Sequence, residues 1–157
     1  MQSLFKHISA SVYVLMLTAP GATLAAEQGS RDEAVALVKK AAAYLKDNGK
    51  AKALAEFNKP SGQFIDRDLY IFAYSANGDG TNLADGANSA LVGKNLIDLR
   101  DADGKAIVKT FIEVGNSKTG SGWVEYKWAN PLTKAVQPKA SYIEKSGDLL
   151  LGSGVYK

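Results

Sequence analysis

The chain has 157 residues, 46% of them apolar, with four prolines, which suits one folded domain rather than a disordered segment. Its net charge of +3 comes from lysines interspersed with Asp and Glu, without a block of like charge, and this argues against nucleic acid as a partner. With no cysteine and one histidine, His7, it has no material for a disulfide framework, a lipid-bearing N-terminal cysteine, or the common zinc and haem sites.

At the N-terminus Lys6 precedes an apolar run from Ile8 to Leu17, followed by small residues at Ala19-Pro20-Gly21-Ala22 and Ala25-Ala26. This pattern predicts a secretory signal peptide over residues 1–26, cleaved after Ala25 or Ala26. The apolar stretch is about ten residues, short of the roughly 20 that a spanning helix needs. Cleavage removes Lys6 and His7, leaving 18 basic against 16 acidic residues, a net charge of +2, and a mature chain without histidine. Nucleophilic triads of the Ser-His-Asp and Cys-His kinds are then unavailable. The expected product is an exported, periplasmic, soluble domain spanning residues 27–157.

Ser30-Arg31-Asp32-Glu33 is a capping box, so a helix should start there. Val35, Val38, Ala42 and Leu45, flanked by Ala34, Leu37, Ala41 and Tyr44, form a broad apolar stripe that runs until Asn48-Gly49. A short second helix is expected from Lys50 to Asn58, burying Ala53, Leu54 and Phe57. From Asp68 to Ala76 the pattern changes to period two, a strand with Leu69, Ile71 and Ala73 on one face and Tyr70, Phe72 and Tyr74 on the other. Asn77-Gly78-Asp79-Gly80 is a turn, with Thr81 to Ala84 as hairpin partner. A loop-rich stretch over residues 85–104 leads to a helix from Lys105 to Val114 and a mobile Gly/Ser linker from Gly115 to Gly122. Strands Trp123–Trp128, Gln137–Glu144 and Leu149–Tyr156 complete the chain. Helices followed by an antiparallel sheet of about five hairpin-connected strands give an α+β domain.

Two segments carry partial calcium-loop spacing. Ser75 to Gly86 has Asn77, Asp79 and Gly80 in register, but a serine at the first position and a glycine at the twelfth. Asp101-Ala102-Asp103-Gly104 has Leu99 where the first carboxylate belongs. Both read as Asp-Gly turns, and neither a metal nor a cofactor is expected.

Taken in order, Tyr70-Ile-Phe-Ala-Tyr74 with its Gly-Asp-Gly turn, Leu91-Val-Gly-Lys-Asn95, Asp103-Gly-Lys105, Gly122-Trp-Val-Glu-Tyr-Lys-Trp128, Pro138-Lys-Ala-Ser-Tyr142 and Gly152-Ser-Gly-Val-Tyr156 resemble a single Cache domain over residues 30–157. The resemblance implies a PAS-like fold, with a long N-terminal helix packed on a curved antiparallel sheet whose concave face binds a small extracellular ligand, often a short organic acid. It also implies a sensor role, with a membrane chemoreceptor or histidine kinase as partner. Where such receptors continue into a membrane helix this sequence has only Lys157 after Tyr156, so it resembles the free-standing periplasmic form.

A carboxylate ligand needs a cation or strong hydrogen-bond donor in a partly desolvated site, and phenol and indole groups both wall a pocket and donate. Lys139, within the otherwise uncharged run Val136 to Ile143, is the best single candidate, with Tyr70, Tyr74, Tyr126, Trp128 and Tyr142 around it. Lys139, Tyr126 and Tyr142 match the family's ligand-contacting positions. Alternation sets Tyr126 and Trp128 with Val124 and opposite Trp123. Against this stands the ordinary reading of period-two aromatics as core, and of an edge-strand lysine as a guard against aggregation. Asp85 stands where many relatives have a histidine. A carboxylate facing the pocket would repel an acid, so it either points away or this member takes an amine, an amino acid or a metal-bridged ligand. The function expected is non-catalytic: a sensor for a small organic metabolite, a short carboxylic acid first. The alternative is a docking or accessory subunit of a membrane or redox complex.

Overall fold

The computed structural model describes residues 28–157, and the expected leader over residues 1–26 lies outside them. Helix α1 spans Arg31–Asn48 and begins as the capping box dictates: the Glu33 amide donates to Ser30 Oγ at 3.2 Å and the Ser30 amide to Glu33 Oε2 at 2.7 Å. Such a cap is worth about 1 kcal/mol. Gly49, at φ 79°, ends α1 and lets the chain turn into helix α2, Lys50–Phe57.

The period-two segment is not one strand. Strand β1 (Ile65–Asp66) and strand β2 (Leu69–Tyr70) form a two-stranded ribbon around Arg67-Asp68, and strand β3 (Phe72–Ser75) continues into the main sheet. The break falls at Ile71, whose amide is taken by the Phe64 carbonyl and whose carbonyl accepts from the Gly86 amide. The alternation survives the break: Leu69, Ile71 and Ala73 face α1 and α2, while Tyr70, Phe72 and Tyr74 face the other way. Strand β4 (Asn82–Asp85) pairs with β3 through a bulge between Ala73 and Tyr74, which puts both Asn82 and Asp85 beside the aromatic face.

A 3₁₀ turn (Ser89–Leu91) and helix α3 (Ile107–Gly115) follow, then the long strands β5 (Ser121–Ala129), β6 (Val136–Ser146) and β7 (Leu149–Tyr156). Helix α3 starts two residues later than expected because Asp101 claims the preceding segment, its Oδ1 accepting the amides of Asp103 and Lys105. The Gly115–Gly122 segment is likewise no linker. Asn116 to Gly120 is a series of hydrogen-bonded turns, Gly120 accepts the Lys145 amide, and Ser121-Gly122 already belong to β5.

The main sheet has the order β4-β3-β7-β6-β5, every neighbouring pair antiparallel. The hairpins lie as expected, but β4 and β5, consecutive in the chain, sit at opposite edges, and the segment containing α3 crosses the sheet between them. Strand β7 is therefore central and buried along its whole length. Its glycines reflect that crowding. A Cβ on Gly152 would meet the Phe72 ring at 2.3 Å, and one on Gly154 would meet the Ala140 carbonyl oxygen at 2.4 Å. One face of the sheet carries an apolar core with α1 and α2, from Ala34, Val38, Ala41 and Phe57 to Leu149 and Leu151; the other packs against α3.

Candidate functional site

On the α3 side, strands β2 to β7 bring together the side chains that could recognise a ligand. Lys139 lies on β6 opposite Tyr126 of β5 and Tyr156 of β7, and alternation turns it inward with Ser141 and Ile143. It is 1% exposed. Its ammonium donates to Tyr70 Oη at 2.8 Å and lies 4.1 Å from the Tyr70 ring centre and 4.8 Å from that of Tyr156. These contacts replace part of its hydration, yet no carboxylate comes within 4.0 Å of it among the described residues. A buried cation without an ion pair is costly. Burial accordingly pushes the Lys139 ammonium down to about 7, with the more distant carboxylates of Asp85 and Asp68 pulling the other way.

The hydrogen-bond chain runs outward from Lys139 through Tyr70 to Tyr156 (3.4 Å between hydroxyls) and on to the Ala129 carbonyl, which Tyr156 reaches at 2.9 Å. Tyr126 is paired with Ser141 at 2.9 Å. Burial raises the phenols of Tyr70, Tyr126 and Tyr156 above their ordinary range and that of Tyr74 to about 12, so all four stay protonated donors at neutral pH.

These rings enclose a cavity. Tyr70, Phe72, Tyr74, Tyr126 and Trp128 wall it from the sheet, Ile107 and Phe111 close it from α3, and Asp85 enters from β4. Phe111 stacks on Phe72 at 5.4 Å and meets Tyr126 edge-on at the same distance. The space left is about 10 Å³, enough for one water molecule. Tyr70 and Trp128 also line an outer cleft of about 330 Å³ with Ala87, Asn88, Asn130 and Lys134, so these two rings divide the inner cavity from the outside.

Of the six residues expected at the site, Lys139, Tyr70, Tyr74, Tyr126 and Trp128 come together here. Tyr142 does not. It alternates onto the opposite face, where its ring lies 5.7 Å from Trp123 and its hydroxyl donates to Glu144. The period-two rule separates it from Lys139, three positions earlier on one strand. Five residues outside the expected six lie at the site: Phe72, Tyr156, Phe111, Ile107 and Asp85. Phe72 was legible from its place between Tyr70 and Tyr74. Tyr156 reaches Lys139 through the β6–β7 register, and Phe111 through the crossover. Asp85 does not point away: it is 5% exposed and lines the cavity. Its Oδ1 accepts the amides of Ala87 (3.0 Å) and Asn88 (2.8 Å), and burial raises its carboxyl above the usual range against those bonds and the Lys139 charge.

Side-chain oxygens of the two calcium-like segments are taken up by backbone amides: Asp79 Oδ1 accepts from Thr81, Asn77 Oδ1 from Asp79, and Asp101 Oδ2 from Lys127 of β5.

Comparison with known proteins agrees with this architecture. A methyl-accepting chemotaxis protein from Vibrio parahaemolyticus superposes with a TM-score of 0.68 at 27% identity, over 80% of this chain and 87% of that one. A Cache chemosensory domain whose structure was described as the basis for carboxylic acid recognition shares the fold, with a TM-score of 0.65 at 20% identity over 88% of this chain and 99% of that one. In sequence, the sensor histidine kinase MctS of Rhizobium johnstonii is 33% identical over 92 residues, which is 57% of this chain and 19% of the kinase. The chain thus spans about a fifth of that relative's length. A family model described as a Cache domain (dCache_2) matches residues 33–157, and the chain belongs to the Cache domain family.

Proposed function

We propose that this chain is an extracytoplasmic sensor domain that binds a small organic metabolite bearing a carboxylate, and that it reports occupancy to a membrane chemoreceptor or histidine kinase. The observation that carries this reading is Lys139: a fully buried ammonium with one phenol partner and no ion pair among the described residues. A ligand carboxylate would supply the missing counter-charge in a low-dielectric site, where such a hydrogen bond is strongest. Tyr70 would donate to the same group, and Tyr74, Tyr126 and Trp128 would wall the apolar part. The kinship with chemoreceptor and kinase sensors supports the signalling role, and the carboxylic acid recognition described for one fold relative supports the ligand class. Among the described residues no helix is long and apolar enough to cross a membrane. An export signal over residues 1–26, cut after Ala25 or Ala26, would deliver the domain to the periplasm.

Binding must open the cavity, since its present space suits one water. Separation of Trp128 and Tyr70, which stand between it and the outer cleft, is the shortest route. That closure is also the observation favouring a second reading, in which the domain serves as a docking subunit and the pocket is vestigial. A thermal-shift screen of organic acids, amino acids and amines separates the two. Saturable stabilisation that disappears in Lys139→Ala supports the sensor. A complete absence of hits, with a stable co-purifying partner, supports docking, and a Lys139→Ala variant that responds like the wild type refutes the site.

A further inference from the structure

The hairpin turn between β5 and β6 stands outside the aromatic cavity. With the first residue of β6 it carries Leu132 and Val136, the only large apolar side chains exposed among the described residues, at 50% and 64%. The turn is firmly built. Asn130, 3% exposed, accepts the amides of Leu132 (2.8 Å) and Thr133 (3.3 Å) on its side-chain oxygen and donates to Gln137 Oε1 at 2.9 Å. Its main chain bonds Ala135 and Lys134, both at 2.9 Å. Lys134 is held at φ 62°, a left-handed conformation unfavourable for a residue with a side chain. Leu132 and Lys134 are thus presented to solvent by a fixed turn and not by fraying.

The charges beside this tip are unevenly matched. Asp103 is paired with Lys127 (2.8 Å), Glu125 with Lys157 (2.7 Å), and both oxygens of Asp101 accept backbone amides. Lys134 has no carboxylate within 4.0 Å among the described residues, and neither has Arg100, which borders a shallow cleft of about 290 Å³ with Val136 and Trp128. The tip also has a defined place. Strand β7 ends beside Lys139, and the Lys157 amide donates to the Pro138 carbonyl at 2.9 Å. The β1–β2 turn lies at the same end, because β3 runs antiparallel to β7, and it holds the start of the described chain through Arg67 on the Gln28 carbonyl (2.9 Å) and Asp68 on the Gly29 amide (2.6 Å). Both ends of the described chain therefore lie at the end of the sheet from which the hairpin projects.

We propose that this end of the domain rests on an anionic lipid surface, with Leu132 and Val136 entering the headgroup boundary and Lys134 and Arg100 against the lipid phosphates. Two apolar side chains on a convex turn are too few for a stable protein interface, which needs about 800 Å² from each partner. Shallow insertion beside free cations is the usual form of lipid-surface contact. The proposal is independent of what the cavity binds.

The test is sedimentation of the mature protein, exported from the full-length chain, with vesicles of phosphatidylcholine and phosphatidylglycerol in equal parts, against phosphatidylcholine alone. Binding should require the anionic lipid and weaken as salt rises. Among variants checked for a cooperative thermal transition, Lys134→Glu should lower the partition coefficient about fivefold or more. Leu132→Ser combined with Val136→Ser should lower it about tenfold or more. Lys118→Glu makes the same charge change in the exposed turn before β5, at the far end of the sheet, and should leave partitioning within about twofold of the wild type. Absence of binding to the anionic vesicles overturns the proposal. So does an equal loss in Lys118→Glu and Lys134→Glu, which would mean attraction by net charge alone, or undiminished binding in the hairpin variants, which would place the contact elsewhere in the chain.

Discussion

The two faces of the sheet are built from the same strands and differ in almost everything else. Toward α1 and α2 the strands present Ile71, Ala73, Ala140, Leu149 and Leu151, and the helices fill the space with Ala34, Val38, Ala41 and Phe57, all essentially inaccessible to solvent. Toward α3 the same strands present Tyr70, Phe72, Tyr74, Tyr126 and the neighbouring Asp85 around a residual cavity, with Lys139 buried behind Tyr70. The first face gains free energy from its buried apolar groups, with Ser153 Oγ as a buried polar atom that finds no partner among the described residues. The second accepts a desolvated lysine and a desolvated aspartate that a domain selected only for stability would replace with apolar side chains. Such a local violation of the burial rules is the expected mark of a site.

That contrast can be broken hardest from the helix side. Phe57, fully buried and set edge-on to Phe64 at 4.8 Å, should cost about 3–5 kcal/mol on substitution by alanine, read from denaturant unfolding. Whatever ligand preference remains at temperatures where this variant is folded should be that of the wild type. A changed preference would mean that the two faces are not separable.

The opposite sign is expected across the sheet. Lys139→Met should stabilise the ligand-free protein by about 1–3 kcal/mol, because a methylene chain of similar volume stays and the buried charge goes. The pH dependence tests the same point. The folded Lys139 titrates lower than in the unfolded chain, so between about pH 7 and pH 10 the unfolded state binds more protons and stability rises with pH. Below that window the full cost of the buried charge is present. Tyr70 and Tyr126, whose phenols are raised, act in the opposite direction only above the ordinary tyrosine range. Melting temperatures measured from pH 7 to about pH 9 should climb in the wild type and flatten in Lys139→Met; parallel profiles would show that the ammonium is not buried as described.

The smallest effect is expected at Tyr142. Replacing it by phenylalanine removes a half-buried hydroxyl bonded to Glu144 and should cost less than about 1 kcal/mol, with ligand affinity unchanged in titration. A loss of affinity would mean that the helix-facing side contributes to recognition after all.

Much of this was legible before any tertiary information. The capping box named the first residue of α1, the change from helical to period-two spacing located the β3 segment, and Leu149–Tyr156 was read with both its ends. Alternation also sorted Tyr126 and Trp128 from Trp123. The same rule separates Lys139 from Tyr142, although both match family positions. The β1–β2 ribbon escaped notice because two-residue strands carry no period to detect, and the break at Ile71 depends on which distant carbonyl receives its amide.

By itself, then, the sequence determined the first two helices, the long C-terminal strands, the α+β class and the family, because caps, periodicity and motif order are written in neighbouring residues. Only the tertiary structure decided the strand order, the position of Asp85 and the roles of Tyr156 and Phe111. The strand order and the place of Phe111 depend on the α3 crossover, which sends β4 and β5 to opposite edges, while Asp85 is placed by the bulged β3–β4 pairing and Tyr156 by the β6–β7 register. Spacing along the chain encodes which face a side chain takes; which strand lies beside it is set by the packing of the whole domain.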